Sequence, residues 1–131
     1  MELTWKYVIE VTSTTVFEDF KKRYSIDVPD DMQALILKAN AGTPSKIKIK
    51  ADNGKERILG AILSFNEDDD DNVYTAMEIE HNKRYLPFAV DPFGNYFYQG
   101  LFFGDIIFVD HETEEVSKIS DSLENMLNEL Y

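Results

Sequence analysis

The chain contains no cysteine, which removes disulfides, thiolate nucleophiles and cysteine-based zinc sites together and fits a reducing cytoplasm. Histidine is almost as scarce: His81 and His111 are the whole supply of imidazole, so few positions offer a histidine base or metal ligand. The four prolines and six glycines form no linker-like stretch, and no internal repeat is visible. Nowhere do the roughly 18 apolar residues needed to cross a bilayer run together, and the opening MELTWKYVIEV has neither a basic leader nor a long apolar segment. Neither an export signal nor a membrane span is therefore expected. Positive charge is short as well, with 13 Lys and Arg against 25 Asp and Glu and a net charge of −12. Such a surplus repels phosphate backbones and anionic lipid, so direct nucleic-acid binding and membrane association are disfavoured.

What is present is the making of one ordinary domain: 131 residues, 44% hydrophobic and 13% aromatic, enough to bury a sizeable core. The surplus acid either serves solubility alone or draws in a basic partner, raising encounter rates and penalising wrong partners. Composition leaves both open.

Residues 4–11 read as a short extended start with Trp5, Tyr7 and Ile9 on one face. Thr15, followed three residues later by Glu18, makes a capping box; Val16, Phe20 and Tyr24 then share a helical face, and Lys21, Lys22 and Arg23 crowd the last turn. Pro29 suits the first position of a second helix, whose apolar stripe is Met32, Leu35, Ile36 and Ala39 before Gly42 stops it. The period then changes to two. Residues 46–50 alternate Lys and Ile, Asp52-Asn53-Gly54 signals a turn, and the apolar run 58–65 suits the returning strand of a hairpin. Exposed lysines on the first strand fit an edge guarded against stray pairing. Residues 72–81 fit a helix, and residues 88–91, 96–98, 106–109 and 116–120 fit strands. A last helix carries Leu123, Met126, Leu127 and Leu130 on one side, with Asp121 and Glu124 placed to cap its start. Helices around a mostly consecutive set of strands imply a single α+β domain over residues 1–131, a central antiparallel or mixed sheet covered by helices.

The most informative stretch is LPFAVDPFGNYFY, residues 86–98: strand, tight turn, aromatic strand. Pro92 sets φ at the first corner, Gly94 and Asn95 tolerate positive φ, and Asp91 is an Asx-type turn former. Motifs for catalysis or metal fall short. His111-Glu112 begins a metalloprotease motif, but the required second histidine is replaced by Glu115. The acids 68–71 lack the Gly and Glu of a calcium loop, since the corresponding positions counted from Asp68 are Val73 and Ile79. No nucleophile elbow or phosphate loop exists. A catalyst built on Asp91, His111 and Glu112 requires those groups to share one cleft. The expectation is a protein that is not an enzyme, with no cofactor and no metal.

The turn keeps company with other short motifs in order along nearly the whole chain: Trp5-Lys6-Tyr7-Val8, Asn40-Ala41-Gly42-Thr43-Pro44, Leu63-Ser64-Phe65-Asn66, Pro87-Phe88-Ala89, Asp110-His111-Glu112 and Asp121-Ser122. This order resembles the SUKH superfamily and is similar to YobK-type bacterial antitoxins. The resemblance gives structural roles to Pro29, Gly42, Pro44 and Pro87, to Asp91, Pro92, Gly94 and Asn95 in the turn, and to His111 and Ser122. The chain departs from the pattern at Ala41, where a Gly is usual, and at Tyr98, Val109 and Leu123, which replace Cys, Trp and Phe. Many bacterial members are immunity proteins that neutralise a polymorphic toxin, often a nuclease; a fungal relative regulates cell-wall synthesis. The resemblance thus implies an antitoxin that occludes a basic toxin domain, or alternatively an intracellular scaffold or regulatory interaction module. For the antitoxin, the candidate contacts are two acidic loops: Glu67, Asp68, Asp69, Asp70 and Asp71 in one, and Asp110, Glu112, Glu114 and Glu115 in the other. Tyr74, Tyr96 and Tyr98 serve either as interface anchors, if exposed, or as packing.

Overall fold

Near the start of the chain, the alternation expected over residues 4–11 ends early. The computed structural model describes residues 3–79 and 83–131, and in it strand β1 (Trp5–Lys6) pairs antiparallel with β2 (Thr43–Pro44). Tyr7 then takes a left-handed φ of 61, which turns the strand. Trp5 is half-buried while Tyr7 and Ile9 face solvent.

Helix α1 (Val16–Tyr24) buries Val16 and Phe20, with Tyr24 half-buried beside them. The capping box does not form. Thr15 lies outside the extended conformation of a capping residue; its hydroxyl donates to Asp19 (3.0 Å), and its N–H goes to Ser13 Oγ (3.2 Å). Helix α2 (Asp30–Ala39) begins one residue later than expected, because Pro29 stands extended before it at ψ 146. Its buried stripe is Met32, Leu35, Ile36 and Ala39, as the 3.6-residue period requires. Past its end, Ala41 has φ 64, which explains the usual Gly there. At Gly42 any Cβ would come within 2.9 Å of the Ala39 carbonyl oxygen.

Strands β3 (Lys48–Lys50) and β4 (Glu56–Ile58) form the expected hairpin, with Gly54 at φ 83 in the turn and Ile49 in the core. The returning strand is Glu56–Ile58, not the apolar run after it. Beyond Leu59 that run is captured elsewhere: Gly60 N–H bonds the Val90 carbonyl (2.8 Å) and Leu63 N–H the Phe88 carbonyl (2.8 Å). The lysine-bearing strand is also not a bare edge, since Lys48 exchanges both of its main-chain bonds with Tyr131 (2.9 Å each) and Asp52 N–H reaches the Lys118 carbonyl.

Strand β5 (Ala61–Ile62), helix α3 (Val73–Ile79) and strands β6 (Tyr85–Val90), β7 (Tyr96–Gly100), β8 (Ile106–Val109) and β9 (Val116–Ser120) follow. His81 and the end of the helix expected over residues 72–81 lie outside the described residues. The five strands make one antiparallel sheet in the order β5-β6-β7-β8-β9. Pro87 falls at a register shift in β6, where a missing N–H disrupts least. Helix α4 (Leu123–Glu129) is capped by Ser122, whose Oγ accepts the Asn125 N–H (3.0 Å). Asp121, expected to cap it, instead pairs with Lys118 (2.5 Å). The result is an α+β fold around a continuous core in which Phe20, Phe65, Phe88, Phe97 and Phe108 are fully enclosed.

Candidate functional site

One end of the five-stranded sheet is built on the turn at residues 91–95. Asp91 Oδ1 accepts the N–H groups of Phe93 (2.9 Å) and Asn95 (2.8 Å), and Oδ2 accepts the Asn95 amide (3.1 Å). Gly94 adopts φ 84, and Pro92 stands at the corner where no N–H is needed. Asn95 hands the geometry on: its Oδ1 accepts the His111 N–H (3.0 Å), fixing the β8–β9 loop beside the turn. Phe93, at the tip, is 85% exposed.

Tyr96 packs beside the β8–β9 loop. The His111 ring meets it edge-on at 5.7 Å. Burial raises its phenol above the ordinary value, and the nearby charge of Asp71 raises it further. The strand register sets the two acidic loops apart: β8 leads into residues 110–115 beside the 91–95 turn, whereas β5, antiparallel to β6, runs from Val90 toward Phe88 and away from that turn before residues 67–71.

Their nine acids divide by role. Asp69 turns inward, accepting the Ser64 hydroxyl and the Asn66 amide (3.1 Å). It completes a network in which buried Asn40 binds Ile9 and Ser64 and accepts the Phe65 N–H, and Asn66 holds Glu10 and Thr12. The motif residues Asn40, Ser64 and Asn66 thus tie the N-terminal segment to the sheet. Glu67 pairs with Arg23 (3.0 Å). Glu115 gathers Asn53, Lys55 and Arg57, pinning the β3–β4 hairpin. Asp110 is half-committed, its Oδ1 accepting the Glu112 and Thr113 amides. Asp68, Asp70, Asp71, Glu112 and Glu114 are exposed and make no ion pair among the described residues. Of the sequence-derived contacts, then, these five and one oxygen of Asp110 remain available to a partner. Tyr74, Tyr96 and Tyr98 are buried packing residues.

Between β4, the 91–95 turn and the 110–112 loop runs a groove of about 510 Å³. It brings Asp91, His111 and Glu112 together, as a catalytic reading requires, and adds Glu56, Asp110 and Phe93. Asp91, however, is spent on its own turn. No group of three or more metal-ligating side chains occurs among the described residues. Besides Tyr7 and Tyr131, the aromatics that face solvent are Phe93, and Phe102 and Phe103 at 77% and 90% between β7 and β8, none of which the sequence reading weighed as a contact. Their signal was position in loops rather than on an alternating face: Phe93 and Phe103 each directly precede a positive-φ glycine (Gly94, Gly104), and Phe102 shares the second loop.

No helix among the described residues is long and apolar enough to cross a membrane. Compared with protein families, residues 12–129 match the profile described as the SMI1 / KNR4 family (SUKH-1). No curated protein matches the chain.

Proposed function

The chain belongs to the SMI1 / KNR4 family (SUKH-1), and from that premise we propose that it is an immunity protein which binds a basic toxin domain, a nuclease by class, in the cytoplasm and blocks it by occlusion. The observation that carries this reading is the set of exposed carboxylates in the two loops that make no ion pair among the described residues, with Asp110 and Glu112 beside the exposed Phe93 in one groove. A nuclease presents lysines and arginines to phosphates, and a surface of fixed carboxylates covers that face while an aromatic ring supplies contact area. The fit requires no catalytic step and no direct contact with nucleic acid.

Co-expression with a toxin domain encoded beside this chain tests the proposal. Restored growth together with a stoichiometric complex is the expected outcome; toxicity unrelieved by well-folded protein, with no complex, would transfer the reading to a scaffold or regulatory module. Within a complex, the double change Asp70→Lys and Glu112→Lys is expected to slow association on the order of tenfold at low salt and to flatten its salt dependence. An unchanged association rate would remove these loops from the interface.

A further inference from the structure

The β3–β4 hairpin has two outer edges, and they differ. Ala51 N–H bonds the Lys55 carbonyl and Leu59 N–H the Ile47 carbonyl, so the hydrogen-bonded pairs of this antiparallel ladder fall at odd-numbered positions, Ile49 opposite Arg57 among them. The main-chain groups of the even-numbered residues must then point away from the hairpin. Along the β3 side Lys48 is held by Tyr131 and, just past the strand, Asp52 by Lys118, one on either side of Lys50. On β4 the outward groups belong to Glu56 and Ile58, and neither makes a main-chain hydrogen bond among the described residues. Both residues line the groove shared with Phe93, Asp110 and Glu112.

We infer that this open edge takes an added strand: an extended, lysine- or arginine-bearing segment of a partner protein pairs with β4 through Glu56 and Ile58. Main-chain pairing supplies binding, and side chains at alternate positions supply choice. The choice is set by charge, since the groove carries the carboxylates of Glu56, Asp110 and Glu112 and the Phe93 ring. The one guanidinium there, Arg57, is already held by Glu115 (3.3 Å) and lies over the Phe108 ring at 4.6 Å. A cationic side chain is favoured beside the carboxylates and the ring face, and an acidic strand is repelled. The shortness of β4 and the charge of Glu56 limit indiscriminate pairing. The inference builds on the immunity reading, which supplies the basic partner, and says how that partner is held.

The test uses a blocked heptapeptide of alternating Lys and Val, with two controls: the same peptide with its central Val replaced by Pro, and one with Glu in place of Lys. Amide hydrogen exchange is followed residue by residue in the intact protein. The Lys/Val peptide is expected to slow exchange at Glu56 and Ile58 at least tenfold and leave Arg57, already bonded to Ile49, unchanged. The two controls should protect neither. Ile58→Pro should abolish the protection; Glu112→Lys, which leaves the backbone alone, should weaken binding on the order of tenfold and serves if the proline variant fails to fold. Absence of binding, binding without protection at these two amides, or equal protection by the proline peptide overturns the inference. So does concentration-dependent protection without peptide, which would assign the edge to a second copy of the chain. The two readings fail separately: growth rescue by a toxin complex that leaves Glu56 and Ile58 unprotected removes strand addition alone, and peptide protection without rescue removes the immunity role alone.

Discussion

Asp69 and Asp70 are neighbours of the same type in one acidic run, yet they belong to different parts of the molecule. Asp69 closes a buried network through Ser64 and Asn66, whereas Asp70 is exposed and makes no ion pair among the described residues. Asp69→Ala leaves two enclosed donors without an acceptor and is expected to cost about 1–3 kcal/mol. Asp70→Ala should fall within about 0.5 kcal/mol of the parent. Urea unfolding of the two variants checks this, and equal midpoints would contradict the inward role of Asp69. A run of like charges reads as one solvated loop because sequence carries no sign of which carboxylate turns in; that depends on Asn40 and Ser64, distant in the chain. Asp91 was legible for the opposite reason. Its partners Phe93 and Asn95 lie within four residues, so local turn chemistry was enough.

Among elements, β8 and β9 match the expected residues 106–109 and 116–120, because each alternates between turn signals and is half-covered. The hairpin partner was misplaced because an apolar run looks like a strand wherever it pairs, and Gly60 and Leu63 find their acceptors on β6, some thirty residues on in the chain. Helix starts were less legible: Thr15 stands at the cap of α1 without the expected side-chain bond, Pro29 precedes the helix it was expected to open, and Asp121 leaves the cap of α4 to Ser122. At α4 the distinction is testable. Ser122→Ala removes the acceptor of the Asn125 N–H and should cost about 1 kcal/mol. Asp121→Ala removes only a surface pair with Lys118 and should cost about 0–1 kcal/mol, at the low end in salt. Thermal midpoints in the same order would support Ser122 as the cap, and the reverse order would not.

At the scale of the whole molecule, buried and half-buried tyrosines give the fold a pH limit. Tyr24, Tyr74, Tyr85 and Tyr96 are all held above the ordinary tyrosine value, by burial first in each case, with the Asp105 hydrogen bond adding at Tyr85 and the Asp71 charge at Tyr96. A raised native value means that the neutral form is favoured on folding. This stability is complete below the unfolded value of about 10 and is lost as pH climbs from there through the native values. The thermal midpoint should stay level to about pH 9.5 and fall beyond 10, with Tyr96→Phe reducing the drop; a midpoint that holds at pH 11 would contradict it. The α+β class and the acid surplus were legible in composition and order. The pairing of β5 with β6, which carries residues 67–71 away from the 91–95 turn, was not, since it joins residues distant in the chain. The bond between Lys48 and Tyr131 is another such long-distance pairing, and it has a consequence for synthesis. While the chain is being made, the hairpin at residues 48–58 emerges first and its lysine-bearing edge waits unpaired until about seventy more residues have followed. At roughly 5–20 residues per second that is several seconds of exposure on the ribosome, during which the exposed lysines of β3 are what discourages pairing with another nascent chain.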